Sequence, residues 1–291
     1  MPWFKKKASN EGDSSFNTDV LKNRLQDDQN IYMLPKDFRE VNRLDFQHYL
    51  LRQAMSGNYL APLEQPSTIL DVGCGTGRWM LEMAQQFPQA QVTGVDISPL
   101  SGSTIVFPPN CHFQQCDITR GLPFLPRSFD YVHQRFLVFA LPLHLWPAVI
   151  RDLKRVTRPG QWIELTDADL SHNNPGPETS RILSWIDQAG KKRGLDIAIG
   201  SKLGELMEME GVANVKVQKL VIPMGDWGGR IGKFLMKDFY GAAMTIKPLV
   251  LASTGVASEE YDRTLNAWTR ECDEYHTSCD FYVAYGQSQW L

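Results

Sequence analysis

The stretch Asp71-Val-Gly-Cys-Gly-Thr-Gly77 constrains the fold more than any other part of the chain, because three glycines fall within seven positions directly behind the apolar run Thr68-Ile69-Leu70. A short apolar run that stops at a glycine-rich turn, with a helix-length segment behind it, is how an open α/β sheet passes from a strand into its crossover helix. The turn lacks both the spacing and the lysine of GxxxxGK[ST], so it is not the phosphate cradle of a nucleoside triphosphatase. A nicotinamide or flavin turn would read GxGxxG. Here the residue three after Gly75 is Arg78, and the third glycine comes one place early, at Gly77.

From residue 68 onward, short β-branched runs alternate with helix-length segments. Strands are expected over 69–72, 91–96, 112–117, 129–134, 161–166 and 215–222, with a seventh in Cys-Asp-Phe-Tyr-Val-Ala-Tyr-Gly-Gln-Ser-Gln near the end. Helices are expected over 78–86, 145–157, 178–193 and 202–210. This order predicts an α/β fold with a Rossmann-like, seven-stranded, mostly parallel sheet. Two regions stand outside the rhythm. Phe38, Val41, Leu44, His48, Leu51 and Met55 recur at three- and four-residue spacing and mark one face of an amphipathic helix ahead of the sheet. Between the last two strands, residues 224–278 form a long helix-like insertion where a tight connection would have sufficed. The expected organisation is a disordered polar tail (1–15), an N-terminal helical lid (16–65), a core (66–223), a helical cap (224–278) and the last core strand (279–291).

With 291 residues the chain can bury a full core, and its net charge of -3 supplies no broad positive field for nucleic acid or anionic lipid. The most apolar stretch, 136–150, contains Pro142, His144 and Pro147 and is shorter than the ~20 residues a membrane span needs. The polar start has no apolar segment of the secretory kind, so a cytoplasmic location is expected. Cys74, Cys111, Cys116, Cys272 and Cys279 form no CxxC pair and no zinc-spaced cluster, so free thiols and no metal are expected.

Three acids close three successive strands: Asp71, then Asp96 in Val-Thr-Gly-Val-Asp-Ile-Ser, then Asp117 in Gln-Cys-Asp-Ile-Thr. A carboxylate at the tip of the second strand can accept hydrogen bonds from both hydroxyls of a ribose, although an aspartate there can equally cap a helix. With Phe-Asp-Tyr-Val-His-Gln-Arg and Arg-Pro-Gly-Gln-Trp-Ile-Glu-Leu further on, the set resembles the class I S-adenosylmethionine (SAM)-dependent methyltransferases over residues 66–222. The family's usual Lys-Pro-Gly-Gly stands here as Arg158-Pro159-Gly160-Gln161. The Tyr-Met-Leu-Pro-Lys-Asp-Phe-Arg-Glu-Val-Asn-Arg-Leu-Asp-Phe-Gln-His-Tyr-Leu-Leu segment extends the likeness to about residue 30 and is similar to the LaeA-like methyltransferases of microbial secondary metabolism. The resemblance implies SAM as cofactor, with Gly73, Gly75 and Gly77 lining its methionyl end behind Asp71. It further assigns Asp96 to the ribose, Ile97 to the adenine face, Asp117 and the Ile118 backbone to the adenine edge, and Tyr32, Arg43 and the Gln134 backbone to the methionyl side. A packing helix with solvated polar ends is the alternative for Tyr32 and Arg43.

Methyl transfer from a sulfonium is an in-line displacement in which positioning counts for most, and a base is needed only for a weak nucleophile. His133, at the end of the fourth strand, is the candidate catalytic base, with a core histidine as its alternative reading. Asp167 and Asp169, after the fifth strand, come second, with capping or turn roles as the alternative. The fourth strand is followed by neither Asp-Pro-Pro-Tyr nor Asn-Pro-Pro-Tyr, which argues against nucleic-acid bases as acceptors. The aromatic residues of the insertion, Trp227 and Phe239 first among them, either roof an acceptor pocket or belong to its core. The expected function is methylation of a small molecule, a secondary metabolite, without nucleic-acid or membrane partners and with room for a homo-oligomer. A SAM-binding regulator without small-molecule turnover is the alternative.

Overall fold

The computed structural model describes residues 38–100 and 106–289, so the expected tail, the first part of the expected lid and Tyr32 lie outside the described residues. Helix α1 spans Phe38–Met55. The first strand, β1 (Thr68–Val72), leads through the glycine turn into α2 (Arg78–Gln86), followed by β2 (Gln91–Asp96) and β3 (Cys111–Gln115). Next come β4 (Phe129–Arg135), α3 (Trp146–Val156), β5 (Thr157–Asn173), α4 (Pro177–Lys191) and α5 (Leu203–Met209). The chain closes with β6 (Val212–Pro223), α6 (Gly229–Thr254), α7 (Ser258–Glu274) and β7 (Ser278–Ser288).

The seven strands form one sheet in the order β3-β2-β1-β4-β5-β7-β6. All neighbours are parallel except β7, which runs antiparallel to both β5 and β6. The expected α/β, mostly parallel architecture is therefore the observed one. One face of the sheet packs Ile69, Val92 and Tyr131 under Trp79, Met80 and Met83 of α2. The other carries the larger core, to which α3, α4, α6 and α7 contribute Ile150, Ile182, Ile246 and Trp268. Gly94 in β2 has a packing reason: a Cβ there would lie 2.0 Å from the Met80 sulfur, so α2 rests directly on the strand backbone.

Three strands differ most from the sequence reading. β3 ends at Gln115, and Asp117 instead caps the short 3-10 turn Ile118–Arg120. β6 starts earlier, at Val212. The largest difference is β5, which does not stop at Thr166 but continues to Asn173, with Asp167, Ala168 and Asp169 pairing with Tyr282, Phe281 and Asp280 of β7. Two aspartates interrupt its apolar pattern, so the alternation that signals a strand is lost, although the ladder with β7 runs on to Asp169 and resumes at Asn173 after an irregularity. Residues between β6 and β7 form two helices, and Pro223 and Ser278, at the two ends of this insertion, are cross-strand partners. No helix among the described residues is long and apolar enough to cross a membrane.

Candidate active site

At the carboxyl end of β1 the chain turns through three glycines with left-handed φ, 71° at Gly73, 56° at Gly75 and 76° at Gly77. This is the backbone region that residues with a Cβ avoid. Gly73 and Cys74 donate their amides to the Val95 carbonyl at 2.8 and 3.0 Å, pinning the turn to β2. The Gly75 amide donates to Asp96 Oδ2 at 2.9 Å, and Ser98 donates to Oδ1 at 2.8 Å. One further strand along, Asp117 Oδ1 accepts from the Thr119 amide at 3.0 Å and from its hydroxyl at 2.7 Å. Gln115 ties the two strand ends together by donating to the Ile97 carbonyl at 2.9 Å. Ile97 stands 53% exposed beside Asp96, an apolar surface flanked by strand-end carboxylates. The structure thus brings Gly73, Gly75, Gly77, Asp96, Ile97, Asp117 and Ile118 to one edge of the sheet.

Asp71 and His133 are placed differently from the sequence reading. They are register partners on β1 and β4, face the α2 side and are both buried, with His133 Nδ1 2.8 Å from Asp71 Oδ1. The imidazole is stacked on Trp79 at 3.9 Å and 5°. Burial lowers the His133 pKa against the opposing pull of Asp71. A ring covered by an indole and fixed by a buried carboxylate is a core group, which removes His133 as the acceptor's base and Asp71 as a direct cofactor contact. The Gln134 side chain is buried as well.

The segment ahead of the sheet is tied to three other elements by polar side chains. Asp45 accepts from the Thr76 hydroxyl at 2.7 Å and from Arg78 Nη2 at 2.8 Å, joining α1 to the glycine turn. Arg135, at the end of β4, donates to His48 Nδ1 at 2.9 Å, and His48 Nε2 lies 3.1 Å from Glu82. Burial and then the Arg135 charge push the His48 pKa down to about 4, so the ring is neutral and bridges the two. Arg43 Nη1 donates to Asp238 Oδ1 of α6 at 2.8 Å, and Gln47 Nε2 reaches Oδ2 at 3.4 Å. The apolar face of α1 was legible in the sequence. His48 was counted in that face, but the bonds that Asp45, His48 and Arg52 make to other elements leave no periodic signal of their own.

Between α1, the end of β4, β5, α4 and the two insertion helices lies an open cleft. Phe136, Phe139, Leu183, Phe239 and Trp268 supply its walls, and Arg43, Gln47 and Asp238 are its polar side chains. Leu44 lines it too, and its Cδ1 lies 3.5 Å from where a Cβ on Gly75 would stand, so one side chain separates the cleft from the glycine turn. Phe239 lines this cleft, one of the two places the sequence reading left open for it. Trp227 does not. Its indole donates to the carbonyls of Met224 at 2.8 Å and Thr277 at 3.2 Å, stapling the start of the insertion to its end while 42% of the residue faces solvent.

Asp167 and Asp169 lie within β5. Asp167 is fully buried, and Oδ2 accepts from the Leu137 amide at 2.9 Å, which fixes the loop that carries Phe136, Val138 and Phe139 into the cleft. Burial pushes its pKa up to about 7. Burial also raises Asp169, which Ser201 opposes by hydrogen bonding. Neither carboxylate lines the cleft beside the acceptor walls, so their roles are structural. Among the described residues no group of three or more His, Cys, Asp or Glu converges as metal ligands.

His172, which the sequence reading did not single out, is buried behind the cleft at φ 52°, between Phe239 and Trp268. Burial lowers its pKa from 6.5 to about 3. The unfolded chain takes up a proton here near pH 6.5 and the folded chain does not, so this residue costs stability as the pH falls below 6.5. Replacing His172 with Phe removes that cost. Relative to the parent protein the variant should gain about 2 kcal/mol of unfolding free energy on going from pH 7 to pH 5. Urea titrations of both proteins at the two pH values measure the difference, and parallel pH dependences would show that the imidazole titrates normally in the fold.

A family model described as a methyltransferase domain matches residues 69–160. The methyltransferase str3 of Strobilurus tenacellus is 32% identical over 203 residues, covering 67% of this chain and 72% of that protein. The secondary metabolism regulator laeA of Aspergillus fumigatus is 30% identical over 212 residues, 68% of this chain and 54% of that protein. Among solved structures, phosphoethanolamine N-methyltransferase 2 of Haemonchus contortus in complex with SAM superposes with a TM-score of 0.52 at 18% identity, covering 89% of this chain and 55% of that one. At that identity the likeness speaks for the fold alone.

Proposed function

The chain belongs to the class I SAM-dependent methyltransferases, an enzyme family whose cofactor is SAM, and from that premise we propose that it methylates a neutral small molecule of secondary metabolism held in the cleft beside the glycine turn. One observation carries the proposal: Leu44 forms a wall of the cleft and also packs over Gly75, so an acceptor in the cleft stands a single side chain away from the turn. The residues at the sheet edge fit SAM in chemistry as well as position. Asp96 supplies acceptor oxygens for ribose hydroxyls, while the exposed Ile97 offers an apolar face to the adenine ring. Asp117 and the Ile118 backbone take the adenine edge. Gly73, Gly75 and the Gln134 backbone remain on the methionyl side, and Gly77 starts α2 close behind them. Arg43 faces Asp238, which makes it a cleft residue first.

When bound, SAM supplies a methyl group on a positively charged sulfur. The protein's own task is then to align the acceptor and keep water out, which the aromatic walls from the insertion favour. Phe239 and Trp227 separate this reading from one in which the insertion is merely packing. Phe239→Ala should raise the acceptor's KM by about tenfold or more, from the lost apolar contact, and leave SAM affinity nearly unchanged. Trp227→Ala, remote from the cleft, should move neither. Steady-state kinetics with an acceptor purified from an extract of small molecules, using labelled SAM, checks both; an unchanged KM in Phe239→Ala would remove the cleft from consideration. The likeness to a relative named as a regulator favours a second reading, SAM binding without small-molecule turnover. Label that never leaves SAM for any extract component, in a protein that binds SAM by calorimetry, would support it.

A further inference from the structure

The polar chemistry of the cleft is concentrated in one cluster. Its walls are aromatic and aliphatic, and its polar side chains are Arg43, Gln47 and Asp238. Asp238 is buried on α6, a helix whose other inward residues here, Phe239, Ala242, Ala243 and Ile246, are apolar. Burying a carboxylate costs several kcal/mol unless it is paired. Part of its pairing comes from a different element, through Arg43 and Gln47 of α1. The two bonds are unequal: Arg43 holds Oδ1 at 2.8 Å, whereas Gln47 reaches Oδ2 at 3.4 Å. The longer one is the bond an incoming O–H or N–H would displace. The Cys279 thiol, whose ionisation Asp238 helps to oppose, is kept protonated by burial and brings no charge.

We propose that Asp238 receives the proton of the methyl acceptor, and that the acceptor is a flat, neutral, apolar molecule bearing a hydroxyl or amine. This rests on the reading of the cleft as the acceptor site. Flat rings line the walls, and among the described residues the one cationic group lining the cleft, Arg43, is paired with Asp238, which favours a neutral acceptor over an anionic one. Leu44, next to Arg43 in α1, separates this cluster from Gly75 by a single side chain. In the transfer the acceptor's oxygen or nitrogen bonds to the methyl carbon as the carbon–sulfur bond breaks. That bond's electron pair stays on sulfur, which becomes a neutral thioether. The acceptor's O–H or N–H bond breaks with its electrons kept by the acceptor, and the proton passes to Asp238 Oδ2 and then to solvent.

The test uses the full chain with labelled SAM and three bicyclic probes, 2-naphthol, 2-naphthylamine and 2-naphthoate. Naphthol or naphthylamine should be methylated in preference to the naphthoate. Asp238→Asn should lower kcat at least about tenfold with little change in the probe's KM or in SAM affinity, and Asp238→Glu should recover part of the loss. Full kcat in Asp238→Asn, or preference for the naphthoate, overturns the proposal. Calorimetry distinguishes the two levels of failure. A chain that binds no SAM fails the function reading itself, whereas one that binds SAM and methylates neither naphthol nor naphthylamine refutes the acceptor class. If Asp238→Asn does not fold, the unaltered enzyme still decides: 2-methoxynaphthalene, with no proton to donate, should inhibit with a constant about tenfold above that of 2-naphthol, and equal constants overturn the contact.

Discussion

Asp96→Ala should lower SAM affinity by about 1.5–3 kcal/mol, or roughly 10- to 150-fold, the loss expected for removing a charged acceptor from a bound ligand. Two effects add. The ribose hydroxyls lose their carboxylate, and the glycine turn loses the brace that Asp96 Oδ2 gives to the Gly75 amide and Oδ1 to Ser98. Asp96→Asn separates them, because an amide keeps one acceptor oxygen for the turn while losing the charge that favours hydroxyl donors. It should fall between the parent and the alanine variant. Isothermal calorimetry with SAM, on variants whose thermal unfolding matches the parent, reads the result. A folded Asp96→Ala protein with unaltered affinity would remove Asp96 from the cofactor site.

Trp79→Ala has the largest expected effect on stability, a loss of about 3–5 kcal/mol. Its ring is 1% exposed, its Nε1 donates to the Asn58 carbonyl at 2.8 Å, and its face covers the His133 imidazole at 3.9 Å. Truncation leaves a cavity and also uncovers a buried Asp71–His133 pair whose geometry depends on remaining dry. For a chain of this size the midpoint of thermal unfolding should fall by roughly 10 °C. Trp79→Phe keeps a stacked ring and loses the indole hydrogen bond, so it should cost about 1 kcal/mol plus a smaller packing deficit. Calorimetric melts of both variants give the comparison. An alanine variant melting within a degree or two of the parent would mean that β1 and β4 do not rely on the indole.

What the sequence disclosed depended on how local each signal was. The GxGxG turn needs left-handed backbone at fixed positions, and the residues that permit it stand next to one another, so Gly73, Gly75 and Gly77 were readable directly. Asp96 was readable for the same reason, since a strand tip follows from a short apolar run. Which face a strand residue takes is not local. Asp71 lies beside the glycines in sequence but faces α2, and only the pairing of β1 with β4 places His133 against it. Trp227 and Phe239 belong to one insertion and look equivalent as aromatic residues, yet one closes the ends of that insertion and the other enters the cleft. The extension of β5 was hidden because burial on both faces supplies no alternation, and its two aspartates read as a loop. The Asp238 cluster joins α1 to α6 across 195 residues of sequence, a separation at which residue spacing carries no information.

The cap leaves the sheet at Pro223 and returns at Ser278, and these two residues face each other on one rung of the β6–β7 ladder. Entry and exit points a rung apart make the insertion a pendant of the hairpin, so its length and sequence can change without shifting the register of any strand below it. Closing a longer loop across such a rung adds only about 0.6 kcal/mol for each doubling of its length. Selection acting on what the enzyme accepts can thus remodel residues 224–277 while the glycine turn and Asp96, anchored on strands at the far side of the sheet, go untouched. On the proposed reading of the cleft, exchange of this hairpin pendant between relatives would change the acceptor range and leave the cofactor platform in place.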